Sequence, residues 1–131
     1  MACRITPERI EHLEPNEVFV FGSNVQGAHA GGAARFAVEH FGAIEGLGVG
    51  AQGQSYAIPT MSGSVDKIRV YVNNFTHYAR MNYTQTFYVT KIGCGRAGYK
   101  PEDIAPLFVE ASKLDNVFLP KEFVDIIEGI R

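Results

Sequence analysis

Four short apolar runs, each followed by a stretch where apolar residues recur every three or four positions, set the rhythm of this chain. Glu17-Val18-Phe19-Val20-Phe21 carries valine and phenylalanine without polar alternation, which predicts a strand covered on both faces and ending at Gly22. Gly31 to Phe41 then sets Ala34, Ala37, Val38 and Phe41 on one helical face, with small leading residues that let the helix lie close to a sheet or a ligand. Gln54 to Pro59 reads as a short strand, and Ser64 caps a helix whose Ile68, Tyr71, Val72, Phe75 and Tyr78 share a face. Thr86 to Ile92 is a second covered strand. Because Pro106 is tolerated only in a first helical turn, the next helix is predicted to begin with Asp103 as its cap and to bury Ile104, Leu107, Phe108 and Ala111. Asn116 to Leu119 makes a third covered strand. Pro120 opens a last helix carrying Phe123, Val124, Ile127 and Ile130.

At the start of the chain, Thr6 followed by Pro7, with Ile10 and Leu13 beyond, predicts a small leading helix before Pro15. Gly42, Gly46, Gly48, Gly50 and Gly53 are dense enough to exclude regular structure, and the segment reads as a mobile flap. The alternation of strand and helix predicts an α/β fold: a three-layer α/β/α sandwich with a mostly parallel central sheet, formed by residues 1–131 as a single domain. The ligand crevice of such a sheet lies at the carboxyl ends of its strands.

Two glycine-studded loops fall at those ends. Phe21-Gly22-Ser23-Asn24-Val25-Gln26-Gly27 follows the first strand, and Ile92-Gly93-Cys94-Gly95-Arg96-Ala97-Gly98-Tyr99 follows the third. Glycine lets main-chain N–H groups approach a phosphate without a Cβ in the way, so finding the pattern twice suggests a ligand with two phosphates. The alternative reading of each loop is a tight turn of the fold. Gly93-Cys94-Gly95-Arg96-Ala97-Gly98 is a literal G-x-G-x-x-G, but Tyr99, Lys100 and Pro101 intervene before any helix. Phe118-Leu119-Pro120-Lys121 also offers no acid to hold a ribose, which sets the chain apart from dinucleotide dehydrogenases. No glycine is followed by Lys and Ser or Thr at P-loop spacing.

Composition narrows the choice of ligand. A net charge of −2, 46% apolar and 20% charged residues describe an ordinary globular chain, and Lys67, Arg69, Arg80, Lys91, Arg96 and Lys100 are scattered singly. A nucleic-acid footprint is therefore not expected, nor is a membrane span, and the anion should be small. Two cysteines, Cys3 and Cys94, without metal spacing fit a reducing cytoplasm, and His12, His29, His40 and His77 show no ligand spacing. No metal or cofactor is expected.

The Phe-Gly-Ser-Asn-x-x-Gly segment leading to Gly31-Gly32-Ala33-Ala34, the Tyr56-Ala57-Ile58-Pro59-Thr60 strand, and Thr90-Lys91-Ile92-Gly93-Cys94-Gly95-Arg96-Ala97-Gly98-Tyr99 together resemble the macrodomains, the ADP-ribose-binding family. The likeness runs over roughly residues 17 to 119 and is strongest to the compact branch that includes terminal ADP-ribose glycohydrolases. A phage or mobile-element accessory protein of macrodomain-like fold is similar in the same way. The resemblance implies a small nucleotide partner, with Asn24 and the Gly27 to Gly32 segment facing the distal ribose and Gly93 to Tyr99 wrapping the diphosphate. The implied contact set is Gly22, Ser23, Asn24, Gly27, Gly31, Gly32, Thr60, Gly93, Cys94, Gly95, Arg96, Ala97, Gly98 and Tyr99. The hydrolase branch uses a lysine after the middle strand and an aspartate two residues beyond its G-C-G motif. Thr60-Met61 and Ala97 stand at those places here.

Each candidate side chain carries two readings. Asn24 either orients the ribose, in catalysis or in binding, or closes an Asx turn. His29 is a general base or a packing residue. Cys94 is a nucleophile activated by Arg96 or a histidine, or a small buried thiol beneath a phosphate loop. Arg96 pairs with a phosphate or is solvated, and Tyr99 is the tyrosine assigned to stack on the ligand. The functional readings are thus a nucleotide binder, an ADP-ribosyl hydrolase in the same pocket, or an interaction protein that has lost its ligand.

Overall fold

Parallel strands buried on both faces need helices on both faces, and the chain meets that need by alternating its side chains. The computed structural model describes residues 4–29, 31–61, 63–95 and 97–130. Its strands are β1 (Arg4–Ile5), β2 (Glu17–Ser23), β3 (Gly50–Gln52), β4 (Ser55–Pro59), β5 (Thr86–Val89) and β6 (Val117–Leu119). They form a six-stranded sheet in the order β1-β6-β5-β2-β4-β3. All neighbours are parallel except β3, which pairs antiparallel with β4. The helices are α1 (Gly32–His40), α2 (Val65–Met81), α3 (Pro101–Ile104) and α4 (Lys121–Ile130).

Along β2, Val18 and Val20 enter one apolar cluster while Phe19 and Phe21 enter another. Successive side chains of a strand point to opposite faces, so the two clusters lie on the two sides of the sheet. The first gathers Ile68, Val72 and Phe75 of α2, the 3-10 turn Ala105–Phe108, and Phe123, Val124 and Ile127 of α4. Phe75 sits at its centre, with ring centroids 5.2 Å from Tyr56, 5.6 Å from Phe87 and 6.3 Å from Phe108. The second packs Ala34 and Ala37 of α1 with Leu13 and Phe41.

Ser64 caps α2 as its sequence implies, accepting a hydrogen bond from the Lys67 N–H at 3.2 Å. Asn116 ties the amino-terminal pole of the sheet: its amide donates to the carbonyls of Ala79 at 3.0 Å, Asn82 at 3.3 Å and Gln85 at 3.0 Å.

Several expectations are corrected. Thr6 does not cap a leading helix. Its N–H pairs with the Leu119 carbonyl at 2.7 Å and its buried hydroxyl donates to the Val89 carbonyl at 2.8 Å, so the group a helix would need is spent joining β1 to the sheet. The glycine-dense segment holds the edge strand β3, and it is pinned rather than free. Asp103 stands inside α3 and accepts from the Lys100 N–H at 3.0 Å, while the chain shifts to the 3-10 turn that accommodates Pro106. β5 ends at Val89, three residues earlier than the apolar run. Of the apolar residues carried by the last helix, Phe123, Val124 and Ile127 are buried and Ile130 is 57% exposed. No helix among the described residues is long and apolar enough to cross a membrane.

Candidate functional site

The connection leaving β2 runs to α1 on one face of the sheet, whereas those leaving its neighbours β4 and β5 run to elements packed on the other. Adjacent parallel strands whose connections part in this way leave a crevice at their carboxyl ends. A cavity of about 450 Å³ occupies it. Gly22, Ser23 and Asn24 reach it from the first glycine loop, Gly31 and Gly32 from the start of α1, Thr60 and Met61 from the end of β4, and Gly93, Gly95 and Ala97 from the second loop. Five of these residues are glycines, so main chain forms much of the wall. A Cβ on Gly22 would stand 3.1 Å from the Thr60 hydroxyl and 3.4 Å from the Ile92 Cβ, which marks how closely the strand ends meet beneath the cavity.

The first loop is built on its own side chains. The Asn24 amide donates to the Ala28 carbonyl at 3.2 Å and accepts from the Ala28 N–H at 2.9 Å, closing the loop as an Asx-type turn while the residue still borders the cavity. Gly27, at φ +75°, and Gly48 let the 43–49 segment dock against this loop. A Cβ on Gly27 would collide with the Gly46 backbone, and one on Gly48 with the Asn24 carbonyl. The docking is held by the Ser23 hydroxyl on the Gly48 carbonyl and by the Gly46 N–H on the Gly27 carbonyl at 2.8 Å.

His29 completes that lock. It is 1% exposed, meets Phe21 edge-on at 5.2 Å, and lies with Nε2 3.0 Å from the Leu47 carbonyl. Its main-chain N–H donates to Glu45 Oε1 at 3.0 Å. The ring lines neither this cavity nor the larger one beside it, so the structure places His29 in the loop's packing and not where a general base would act.

The second loop starts from Thr90, whose hydroxyl donates to the Val20 carbonyl at 2.8 Å, and folds back through Gly98 N–H to Gly95 O at 3.0 Å and Tyr99 N–H to Gly93 O at 2.8 Å. Cys94 and Tyr99 turn toward the core cluster instead of the cavity, and burial pushes the Cys94 thiol above its ordinary range. The neighbouring carboxylates Asp103, Glu122 and Glu102 push it the same way, and Lys91 opposes them. A raised pKa leaves less of the thiolate that acts as the nucleophile, which favours the buried-thiol reading. Gly27 and Gly98 lie off the cavity wall, and Arg96 is outside the described residues.

Against these stand residues the sequence reading did not single out. Thr90 and Lys91 border the cavity, and with Gly32 and Ala33 they also border a second, larger one of about 870 Å³. The larger cavity is walled by the 5–11 segment, by Phe19 and Phe36, and by Pro120 to Glu122. Lys91 Nζ lies 3.0 Å from Glu122 Oε2. The Glu122 carboxyl is held below its ordinary range by its own main-chain N–H in the first turn of α4 and then by Lys91. Among the described residues no group of three or more His, Cys, Asp or Glu could hold a metal. Comparison with family models, with curated proteins and with solved structures gives no match for this chain.

Proposed function

We propose that this chain is a macrodomain-like, three-layer α/β/α protein of the cytoplasm that binds ADP-ribose or a related NAD-derived nucleotide. The carrying observation is that both glycine loops border one cavity, and that this cavity shares four wall residues with a larger one. A diphosphate suits the smaller space, where glycines expose main chain, and a nucleoside suits the larger, which Phe19, Phe36 and Ile10 furnish with apolar surface. Asn24 is assigned to the ribose by the resemblance; it borders the smaller cavity, and both ends of its amide also serve the loop.

Binding is favoured over hydrolysis. Thr60, Met61 and Ala97 occupy the cavity wall where the resembling hydrolases carry a lysine and an aspartate. Main-chain amides and shape are enough to hold a phosphate without those side chains.

Calorimetric titration with ADP-ribose, AMP, NAD and ribose 5-phosphate tests the reading. Gly95→Trp is the matched variant: a Cβ at Gly95 meets nothing within 4 Å, so a large side chain can enter open space at the wall. ADP-ribose should bind the wild type and lose about tenfold or more in affinity with the variant, the equivalent of one good polar contact. Heat from none of the four compounds rejects the proposal.

A further inference from the structure

A single lysine stands on the wall of both cavities. Among the described residues, Lys91 is the only ionisable side chain bordering the smaller cavity, and it borders the larger one as well. Glu122 borders the larger cavity alone. We propose that Lys91 is the movable counter-ion of this site, resting on the Glu122 carboxylate when the site is empty and leaving it for a phosphate of the bound nucleotide. The inference rests on the nucleotide-binding reading above.

The resting pair is built to be released. Its two side chains are 53% and 51% exposed, and an ion pair so wet is weak because water competes for both partners. A phosphate lodged in a partly enclosed crevice offers the ammonium a charge-assisted hydrogen bond in a less watery setting, which is the stronger contact. The Glu122 carboxyl is held below its ordinary range first by its own main-chain N–H in the first turn of α4 and only then by the lysine. Lys121 and Arg9, the other cations on the wall of the larger cavity, do not border the smaller one. Among the described residues the exchange thus falls to Lys91, whose four-carbon stem can swing between the two spaces.

Two substitutions that destroy the same ion pair should act in opposite directions. In titrations with ADP-ribose, Lys91→Met should weaken binding by about tenfold or more, as expected for removal of a charged hydrogen bond. Glu122→Gln should tighten it by about two- to fivefold, because the competitor for the lysine is gone. If both variants weaken binding alike, or neither changes it while the wild type binds, Lys91 is a structural partner only and the proposal falls. A wild type that binds no ADP-ribose overturns the nucleotide reading itself, and this inference with it.

Discussion

Replacing Gly48 by alanine tests the docking of the 43–49 segment against the first glycine loop. Gly48 is not among the positive-φ glycines, so alanine can adopt its backbone conformation and the cost is steric. The added methyl would overlap the Asn24 carbonyl and stand 2.9 Å from both the Gly27 nitrogen and the Val25 carbonyl carbon, all backbone atoms that cannot swing aside. The segment must lift, and three contacts go with it: Ser23 to Gly48, Gly46 to Gly27 and His29 to Leu47. At ordinary net values for hydrogen bonds, the loss is about 3 kcal/mol of the free energy that keeps the loop closed.

Because the loop can open without the core, native-state hydrogen exchange reads this directly. The Gly46 amide should exchange faster by on the order of 100-fold in the variant. Gly129→Ala supplies the contrast, since its Cβ meets nothing within 4 Å in α4 and alanine should stabilise the helix by about 0.5–1 kcal/mol. Unchanged exchange at Gly46 in Gly48→Ala would refute the docking argument.

Phe75→Ala removes a fully buried ring from among Tyr56, Phe87 and Phe108 and should cost about 3–5 kcal/mol in urea unfolding, with a loss under about 1 kcal/mol contradicting its central place. Cys94, examined in a Cys3→Ser background, should be alkylated by iodoacetamide more slowly than free cysteine at mildly alkaline pH. Its raised pKa leaves less thiolate there, and a rate equal to or above that of free cysteine would show that the thiol is activated after all.

The interior of the fold was readable because its pattern has one cause. Val18 to Phe21 and Val117 to Leu119 are apolar throughout because both faces are covered, and Ile68, Val72 and Phe75 recur at helical spacing because one side of α2 meets the sheet. The two edge strands were not readable. β1 is only two residues long, and β3 begins at Gly50, where composition speaks for a loop while pairing with Tyr56 and Ala57 decides for a strand.

At the site, the convergence of Ser23, Asn24, Gly93 and Gly95 followed from their positions at the ends of parallel strands. The placement of His29 and Tyr99 was not legible, because a single chain does not reveal that one locks into the 43–49 segment and the other turns to the core. Lys91 was overlooked for a related reason. Its partner Glu122 is thirty-one positions away in sequence, and no local pattern encodes that the residue borders two cavities.

Asn116 gives the molecule two unlike poles. A single carboxamide gathers three carbonyls from the end of α2 and the turn into β5, so the pole remote from the crevice is knotted by a side chain anchored in the sheet. The rim of the crevice rests instead on loop closed against loop. Breathing should therefore begin at the rim and die out before it reaches the knot, so that the crevice can open while the foundations of the fold stay shut.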